Sequence, residues 1–352
     1  MEQSLFYDLK GIPPRLSLPE HKHLLDAFSF ISEWQSGKEW FSLQTSGSTG
    51  TPKKLEVHRS RMEISASATI SALGLTSEDK ALICLPVNYV AGKMMIVRCL
   101  MANIETKIDA PSNDPLLPYP IDHYFSFVAL VPLQLSIMVK RAGGLEQLCR
   151  FKAILLGGAA PSPELREICR VNHLPVWETY GMTETLSHIA LKHLGRGEKD
   201  FKTLPGIKIG INENSCLWIE STVCEGGRIQ TNDIVELHSD NSFLWLGRAD
   251  HVVNSGGIKL NPESLEDKIK AHFPNLPNFI LTGLPDERLG EKLVLLIESN
   301  EAFDFDSIKD PLKDLLGSKQ VPKECHHLKS FVRTENGKIK RKATSELLLL
   351  KG

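Results

Sequence analysis

The feature that most constrains this chain is residues 45–54, Thr45-Ser46-Gly47-Ser48-Thr49-Gly50-Thr51-Pro52-Lys53-Lys54. They lie between a strand-like run at 41–44 and a helix-compatible stretch at 60–73. Glycines let backbone N–H groups turn towards a ligand, hydroxyls add donors that suit phosphate oxygens, and lysine brings positive charge to a polyphosphate. A Ser/Thr/Gly surface linker has a similar composition. Linkers, however, rarely close with Pro-Lys-Lys and run straight into an apolar, helix-compatible segment. The commonest phosphate loop, G-x-x-x-x-G-K-[ST], does not fit the spacing, because five positions beyond Gly47 stands Pro52 and five beyond Gly50 stands Leu55. The expectation is a strand, a phosphate loop of another kind, then a helix with its N-terminal end towards the loop and Gly74 as its stop.

Around this loop the chain alternates short apolar runs with helix-compatible stretches. A helix is expected at 20–34, strands at 81–85, 105–109, 125–131, 152–156 and 176–179, and helices at 92–102, up to about 141, and after Ser162-Pro163-Glu164. That last tripeptide offers an N-cap, a proline at the first helical position and an early acid. The alternation points to an α/β domain with a sheet covered by helices. From 195 to 246 the character changes to short β-rich runs such as 217–221 and 243–246. The domain boundary is expected at Gly247-Arg248-Ala249-Asp250, separating an N-terminal α/β domain, 1–247, from a small C-terminal α+β domain, 248–352. In the latter, Asn261-Pro262-Glu263 starts a helix with Leu265, Ile269 and Phe273 on one face. Strands follow at 278–284 and 292–298, then helices at 306–316 and from about 341.

Length and composition permit this division: 352 residues, 41% hydrophobic, can bury a sizeable core in two domains. Forty-one basic against forty-three acidic residues leave a net charge of −2, which argues against a broad nucleic-acid footprint. Seven scattered cysteines with no C-x-x-C pair suggest neither a disulfide framework nor a zinc site, and fit reduced thiols in a cytoplasmic protein. No apolar run approaches a membrane span, and Met1-Glu2-Gln3-Ser4 does not open a signal peptide.

Several later stretches carry chemistry. Glu178-Thr179-Tyr180-Gly181-Met182-Thr183-Glu184 follows a strand at the edge where α/β sheets bind ligands. It offers an aromatic face, a glycine for close approach, a hydroxyl, and a carboxylate of use as a magnesium ligand. An ordinary turn with a solvated glutamate accounts for the same residues. Asp233 and Arg248 stand fifteen residues apart, and alone would be a routine surface pair. The basic cluster Lys338-Ile339-Lys340-Arg341-Lys342 would alone be a solvated face.

Taken in order, six such motifs spanning 45–342 resemble the adenylate-forming superfamily of acyl- and aryl-CoA synthetases and carrier-loading adenylation domains. The resemblance implies that Thr45, Ser46, Gly47, Ser48, Thr49, Gly50 and Lys53 hold ATP phosphates. Gly158, Ala159, Tyr180, Gly181 and Thr183 then line the adenine site, Glu184 positions Mg²⁺, and Asp233 and Arg248 bind the ribose. Asp250 falls at the interdomain hinge, and Gly257 lies in the segment that lines the pantetheine tunnel of CoA. Lys338 becomes the catalytic lysine, working with Lys53 and Glu184. For the acid pocket the resemblance points to Tyr89 and Gly157, with Lys93, Arg98, Ser187 and His188 as candidates for holding a second carboxylate. The implied activity is ATP-dependent ligation of an acid to CoA through an acyl-adenylate. Carrier loading and a catalytically silent AMP-binding module are the alternatives, and a homodimer is compatible with the sequence. Within the superfamily the nearest likeness is to the o-succinylbenzoate–CoA ligases, through residues 128–135, 153–160 and 204–209. Tyr89 replaces a usual histidine, Lys54 a usual glycine and His251 a usual acid. The loop also arrives after only 44 residues, so much of the family's N-terminal subdomain is expected to be missing.

Overall fold

A computed structural model describes residues 5–7, 22–44, 54–301, 303–333 and 339–349. Among the described residues, twelve strands form one sheet. Its centre is five parallel strands, in the spatial order Glu105–Ile108, Lys80–Ile83, Phe127–Leu130, Ala153–Leu156 and Val176–Met182. Of these, Lys80–Ile83, Phe127–Leu130 and Ala153–Leu156 are nearly continuous apolar runs, as strands buried on both faces require. One face packs Ala81, Ile83, Phe127, Ala129 and Leu155 against the helices Lys22–Gln35, Arg59–Leu73 and Val90–Ala102. The other packs Leu82, Val128, Leu130, Ile154 and Leu156 against Pro132–Lys140, Gly144–Cys149 and Pro163–Val171. The central sheet is therefore sandwiched between two helical layers.

Local signals set the ends of these helices. Gly74 caps Arg59–Leu73 with a left-handed φ of 61° and returns its N–H to the last turn. Ser162 accepts the Leu165 N–H at 3.2 Å and starts Pro163–Val171. The β-rich stretch does not stand apart. It extends the same sheet in antiparallel fashion, from Ser187–His193 through Phe201–Thr203, Ser242–Arg248, Arg228–Ser239 and Cys216–Glu220 to Lys208–Ile211.

One expectation is corrected. The loop at 45–53 lies outside the described residues, but the chain after it is a strand, Lys54–His58, and not yet a helix. That strand pairs antiparallel with Trp40–Gln44, Gln44 opposite Lys54 and Trp40 opposite His58. Leu55 and Val57 alternate with polar residues, a period-2 pattern that buries Val57 completely. The Arg59–Leu73 helix thus begins at the other end of this strand from Lys54, roughly 15 Å away.

A second sheet gathers Ile258–Leu260, Val253–Ser255, Gly290–Glu298 and Phe279–Asp286, with Glu324–Leu328 added in parallel to Gly290–Glu298. Its own core includes Leu265, Ile269, Leu281, Leu295 and Leu312, with Phe273 packed on its edge. The Pro262–His272 helix also buries Glu266, which the apolar pattern did not foresee. Arg341 grips Glu266 with both nitrogens, at 2.6 and 2.7 Å, and donates to the Leu281 carbonyl at 3.0 Å. Glu266 in turn accepts the Leu281 N–H at 2.6 Å. Between the two sheets, Arg166 reaches Asp267 at 2.9 Å while lying 3.6 Å from Glu178, which Lys192 approaches at 2.9 Å.

Arg341→Leu would strand the buried Glu266 carboxylate. It should lower unfolding stability by about 3–5 kcal/mol, and Arg341→Leu with Glu266→Leu should recover part of that loss. Urea titration followed by circular dichroism measures both. A loss below about 1 kcal/mol for the single variant would contradict a structural role for this pair.

Candidate active site

All four parallel strands that feed candidate motifs present them at their carboxyl ends. Lys80–Ile83 leads to Pro86–Gly92 and Phe127–Leu130 leads to Val131-Pro132. Ala153–Leu156 leads to Gly157-Gly158-Ala159, and Val176–Met182 carries Tyr180 and Gly181. The strand order also reverses here, since Lys80–Ile83 lies between Glu105–Ile108 and Phe127–Leu130. Crevices at such switch points are where open α/β sheets bind ligands. Gly158 and Ala159 are exposed at this edge. Gly157 sits against Thr179, whose hydroxyl donates to the Leu156 carbonyl at 3.1 Å.

The chain then turns back sharply. A 3₁₀ turn, Thr183–Thr185, joins Val176–Met182 to Ser187–His193, with Met182 paired to Ser187 and Gly181 to His188. A Cβ on Gly181 would lie 2.1 Å from the Ser187 carbonyl oxygen, so only glycine permits this approach. Leu186 and Ser187 take positive φ values of 54° and 92°. Three hydroxyl contacts secure the turn: Thr185 Oγ1 receives the Met182 N–H at 3.0 Å and bonds the Ser187 carbonyl at 2.8 Å, and Ser65 Oγ donates to the Leu186 carbonyl at 2.9 Å. Thr183 is buried beneath the turn and Glu184 projects into solvent.

Two polar clusters hang from this turn. In the first, Tyr180 donates its hydroxyl to Asp233 Oδ2 at 2.6 Å while its ring packs on Phe201 and Phe243. Burial, and then the Asp233 charge, push the phenol well above its ordinary value, so it remains a donor. Asp233 also accepts from the Trp245 indole at 3.2 Å. Arg248 lies 3.8 Å from Asp233 and spends its fork on Asp250, at 2.9 and 3.1 Å. Asp250 and Arg248 are therefore directly bonded at the end of the large sheet. His251, next in the chain, is hydrogen-bonded to Glu263 on the Pro262–His272 helix.

The second cluster is buried. Arg98 is 1% exposed on the Val90–Ala102 helix and donates to Ser187 Oγ at 3.1 Å. Ser187 Oγ lies 3.3 Å from His188 Nδ1, and His188 Nε2 lies 3.0 Å from Thr69 Oγ1. Burial pulls the Arg98 guanidinium down to about 10, and among the described residues no acid offsets its charge. Its Nε has no hydrogen-bond partner among them either. Burial, reinforced by Arg98, drives the His188 imidazole well below its ordinary value, so it sits neutral beside the cation.

A family model for AMP-binding enzymes matches residues 37–211. An acyl-CoA synthetase (AMP-forming)/AMP-acid ligase II-like protein from Dyadobacter fermentans is 37% identical. That likeness covers 95% of this chain and 96% of the other, at a TM-score of 0.64. The chain belongs to the AMP-binding enzyme family. A 2-succinylbenzoate–CoA ligase from Listeria monocytogenes is 26% identical over 338 residues, covering 90% of this chain and 72% of the relative. The o-succinylbenzoate coenzyme A synthetase from Bacillus subtilis, solved in complex with ATP and magnesium ion, shares the fold. Its TM-score is 0.75 at 21% identity, covering 86% of this chain and 69% of the other.

Of the residues singled out in the sequence of this AMP-binding enzyme, the fold unites Tyr180, Asp233, Arg248 and Asp250 in one cluster, and Arg98, Ser187 and His188 in the other. Tyr89 lies at the start of the helix that carries Arg98. Lys93 belongs to neither cluster, since it donates to the Ser42 carbonyl at 2.8 Å and covers the Phe30 ring. Gly257 sits at the tip of the Val253–Ser255 and Ile258–Leu260 hairpin in the second sheet. Thr45, Ser46, Gly47, Ser48, Thr49, Gly50, Lys53 and Lys338 lie outside the described residues. Thr69 and Trp245 were missed. The one signal for Thr69 was its place four residues after Ser65, on the helix stripe that also buries Met62 and Ala66.

The depressed His188 has a measurable consequence. Unfolded, it titrates near 6.5; folded, it refuses the proton, so stability present above pH 6.5 is lost as pH falls towards the folded value. His188→Gln should flatten the decline below that point by up to about 1.4 kcal/mol per pH unit. Urea titrations across the acid range measure the slope, and an unchanged slope would mean that His188 is protonated in the folded protein.

Proposed function

We propose that the chain is an ATP-dependent acid–CoA ligase that activates o-succinylbenzoate as its acyl-adenylate and then transfers the acyl group to CoA. The observation that carries the choice of acid is Arg98, a buried guanidinium with an unpaired Nε and no acid partner among the described residues. A buried charge without a partner is costly, and a second carboxylate on the substrate would remove that cost. o-Succinylbenzoate carries two carboxylates, one aliphatic and one aromatic, and only the aliphatic one is activated. On this reading Arg98, with Ser187 beside it, receives the aromatic one. Neutral His188 adds polarity there without a competing charge. The names of the Listeria and Bacillus relatives support the same acid.

The chemistry follows from the leaving group. A carboxylate is a poor acyl donor because it would have to expel oxide. One carboxylate oxygen therefore attacks the α-phosphorus of ATP, the bond to the bridging oxygen breaks, and pyrophosphate departs. The CoA sulfur, having lost its proton, then attacks the acyl carbon, and AMP leaves with the C–O bond electrons. In the first step an anion approaches an anion, so fixed positive charge lowers the barrier most. Lys53 and Lys338 supply it, with the amides of the loop from Thr45 to Gly50. Tyr180, Gly158 and Ala159 hold the adenine, and Asp233 the ribose.

Among the described residues no group of three or more His, Cys, Asp or Glu side chains could hold a metal. Mg²⁺ is commonly held by one or two carboxylates together with substrate phosphates, so a single exposed Glu184 at this edge fits it. When bound, Mg²⁺ neutralises charge on the phosphate oxygens. For the second step, the residues from 248 onwards turn about Asp250 to bring the Gly257 hairpin towards the site. Asp250→Pro, which fixes φ there, should separate the two half-reactions.

Three outcomes are expected. Wild-type enzyme should use o-succinylbenzoate far better than benzoate or a fatty acid. Arg98→Met should lower kcat/KM for o-succinylbenzoate by about 10²–10³ while leaving the weak use of benzoate nearly unchanged. A monocarboxylic acid that matches o-succinylbenzoate in the wild type, or an equal loss for both acids in the variant, would refute the assignment. Lys338→Ala should slow adenylate formation by about 10²–10³ and largely spare thioester formation from preformed adenylate. Equal loss in single-turnover assays of both half-reactions would refute the role given to Lys338.

A further inference from the structure

We propose that Trp245 is a positioning residue for nucleotide recognition: with the Tyr180 hydroxyl, its indole N–H holds the Asp233 carboxylate in the orientation that accepts both ribose hydroxyls. The inference rests on the reading of Asp233 as the ribose ligand.

The backbone of Asp233 is fixed first. It lies on the Arg228–Ser239 strand opposite Arg248, just before a register shift between Ile234 and Val235. Its N–H donates to Thr231 Oγ1 at 3.1 Å, and that hydroxyl donates onward to the Leu217 carbonyl at 2.8 Å. The carboxylate remains free to turn, because the terminal torsion of aspartate is broad. Two donors remove that freedom, one on each oxygen: Trp245 Nε1 at 3.2 Å from Oδ1, and the Tyr180 hydroxyl at 2.6 Å from Oδ2. Arg248 supplies charge at 3.8 Å but does not fix the orientation, since its fork is bonded to Asp250.

The chemistry of the two donors suits this task. An ionised carboxylate offers about four acceptor positions, so one on each oxygen remains after Trp245 and Tyr180 are counted. Two vicinal hydroxyls of a ribose require such a pair of adjacent acceptors. The indole donates and cannot accept, so it never draws a ribose hydroxyl away from the carboxylate. Trp245 is half-buried, and its bulk on a strand of the large sheet makes it a rigid donor. It pairs with Val235, two residues along from Asp233, which sets the diagonal reach between the two side chains. On this account Trp245 sharpens the preference for ribonucleotides over deoxynucleotides without touching the nucleotide.

Calorimetric titration with AMP, 2′-deoxy-AMP and 3′-deoxy-AMP tests this without any acid substrate. Wild-type protein should bind AMP roughly tenfold or more tightly than either deoxynucleotide. Trp245→Phe should weaken AMP about fivefold and leave the deoxynucleotides nearly unchanged, so the ratio contracts towards one. Trp245→His, which keeps a ring N–H, should restore part of the ratio. Tyr180→Phe, which keeps the ring and deletes the opposite donor, should contract the ratio as well and serves if the Trp245 variants do not fold. Equal weakening of all three nucleotides in Trp245→Phe, or an unchanged ratio in Tyr180→Phe, would reduce these residues to packing and overturn the inference. Wild-type protein that binds the three nucleotides alike, or does not bind AMP, would instead remove Asp233 as the ribose ligand, and the inference with it.

Discussion

The close passage of Gly181 over the Ser187 carbonyl is the constraint on which the rest of the site depends. With any Cβ at 181 the strand Val176–Met182 and its return Ser187–His193 would have to separate, because that atom would sit 2.1 Å from the Ser187 oxygen. The return strand brings Ser187 and His188 to Arg98, and the outgoing strand brings Tyr180 to Asp233. Both polar clusters thus derive their positions from one turn. Positive φ at two non-glycine residues, Leu186 and Ser187, is locally unfavourable and persists only where the surroundings over-determine it. Leu186 is fully buried, and the hydroxyls of Ser65 and Thr185 occupy the carbonyls of Leu186 and Ser187. Helix, turn and strand therefore hold one another in place.

The two clusters use burial in opposite ways. Around Asp233, donors surround a carboxylate and orient it. Around Arg98, a buried cation meets the Ser187 hydroxyl, with His188 beside it, and its Nε has no hydrogen-bond partner among the described residues. The first arrangement leaves an acceptor position on each Asp233 oxygen, and the second offers a buried cation to an anion, which is the ground on which a dicarboxylate is proposed. Away from the site, buried charges are paired. Glu266 with Arg341 and Glu178 with Lys192 keep polar groups inside the fold at no net charge.

Much of this was legible because the signals were local. Gly74, the Ser162 cap and the apolar runs of the parallel strands each declare themselves within a few residues, and the motif order carried the family. The Lys54–His58 strand was not legible, because Lys-Leu-Glu-Val-His offers only two apolar positions and no turn residue separates it from the helix that follows. Glu324–Leu328, Glu-Cys-His-His-Leu, was missed because its polar residues show no strand alternation. Lys93 and Arg98 stood equal in the sequence because the Val90–Ala102 helix is apolar nearly all round, so no stripe marks its inner side. The fold separates them, turning Lys93 to the Ser42 carbonyl and Arg98 to Ser187. Trp245 and Thr69 meet their partners across strands and helices distant in sequence, which no spacing rule reaches.

The central claim is that the site joins an acid to AMP before any thiol is involved. Isotope exchange between pyrophosphate and ATP, measured with Mg²⁺ and without CoA, tests it most directly. The account predicts exchange that depends on added o-succinylbenzoate, with the acyl-adenylate and pyrophosphate as the products formed from ATP. Absence of acid-dependent exchange in folded protein that still binds ATP, or cleavage of ATP to ADP and phosphate instead, would contradict it.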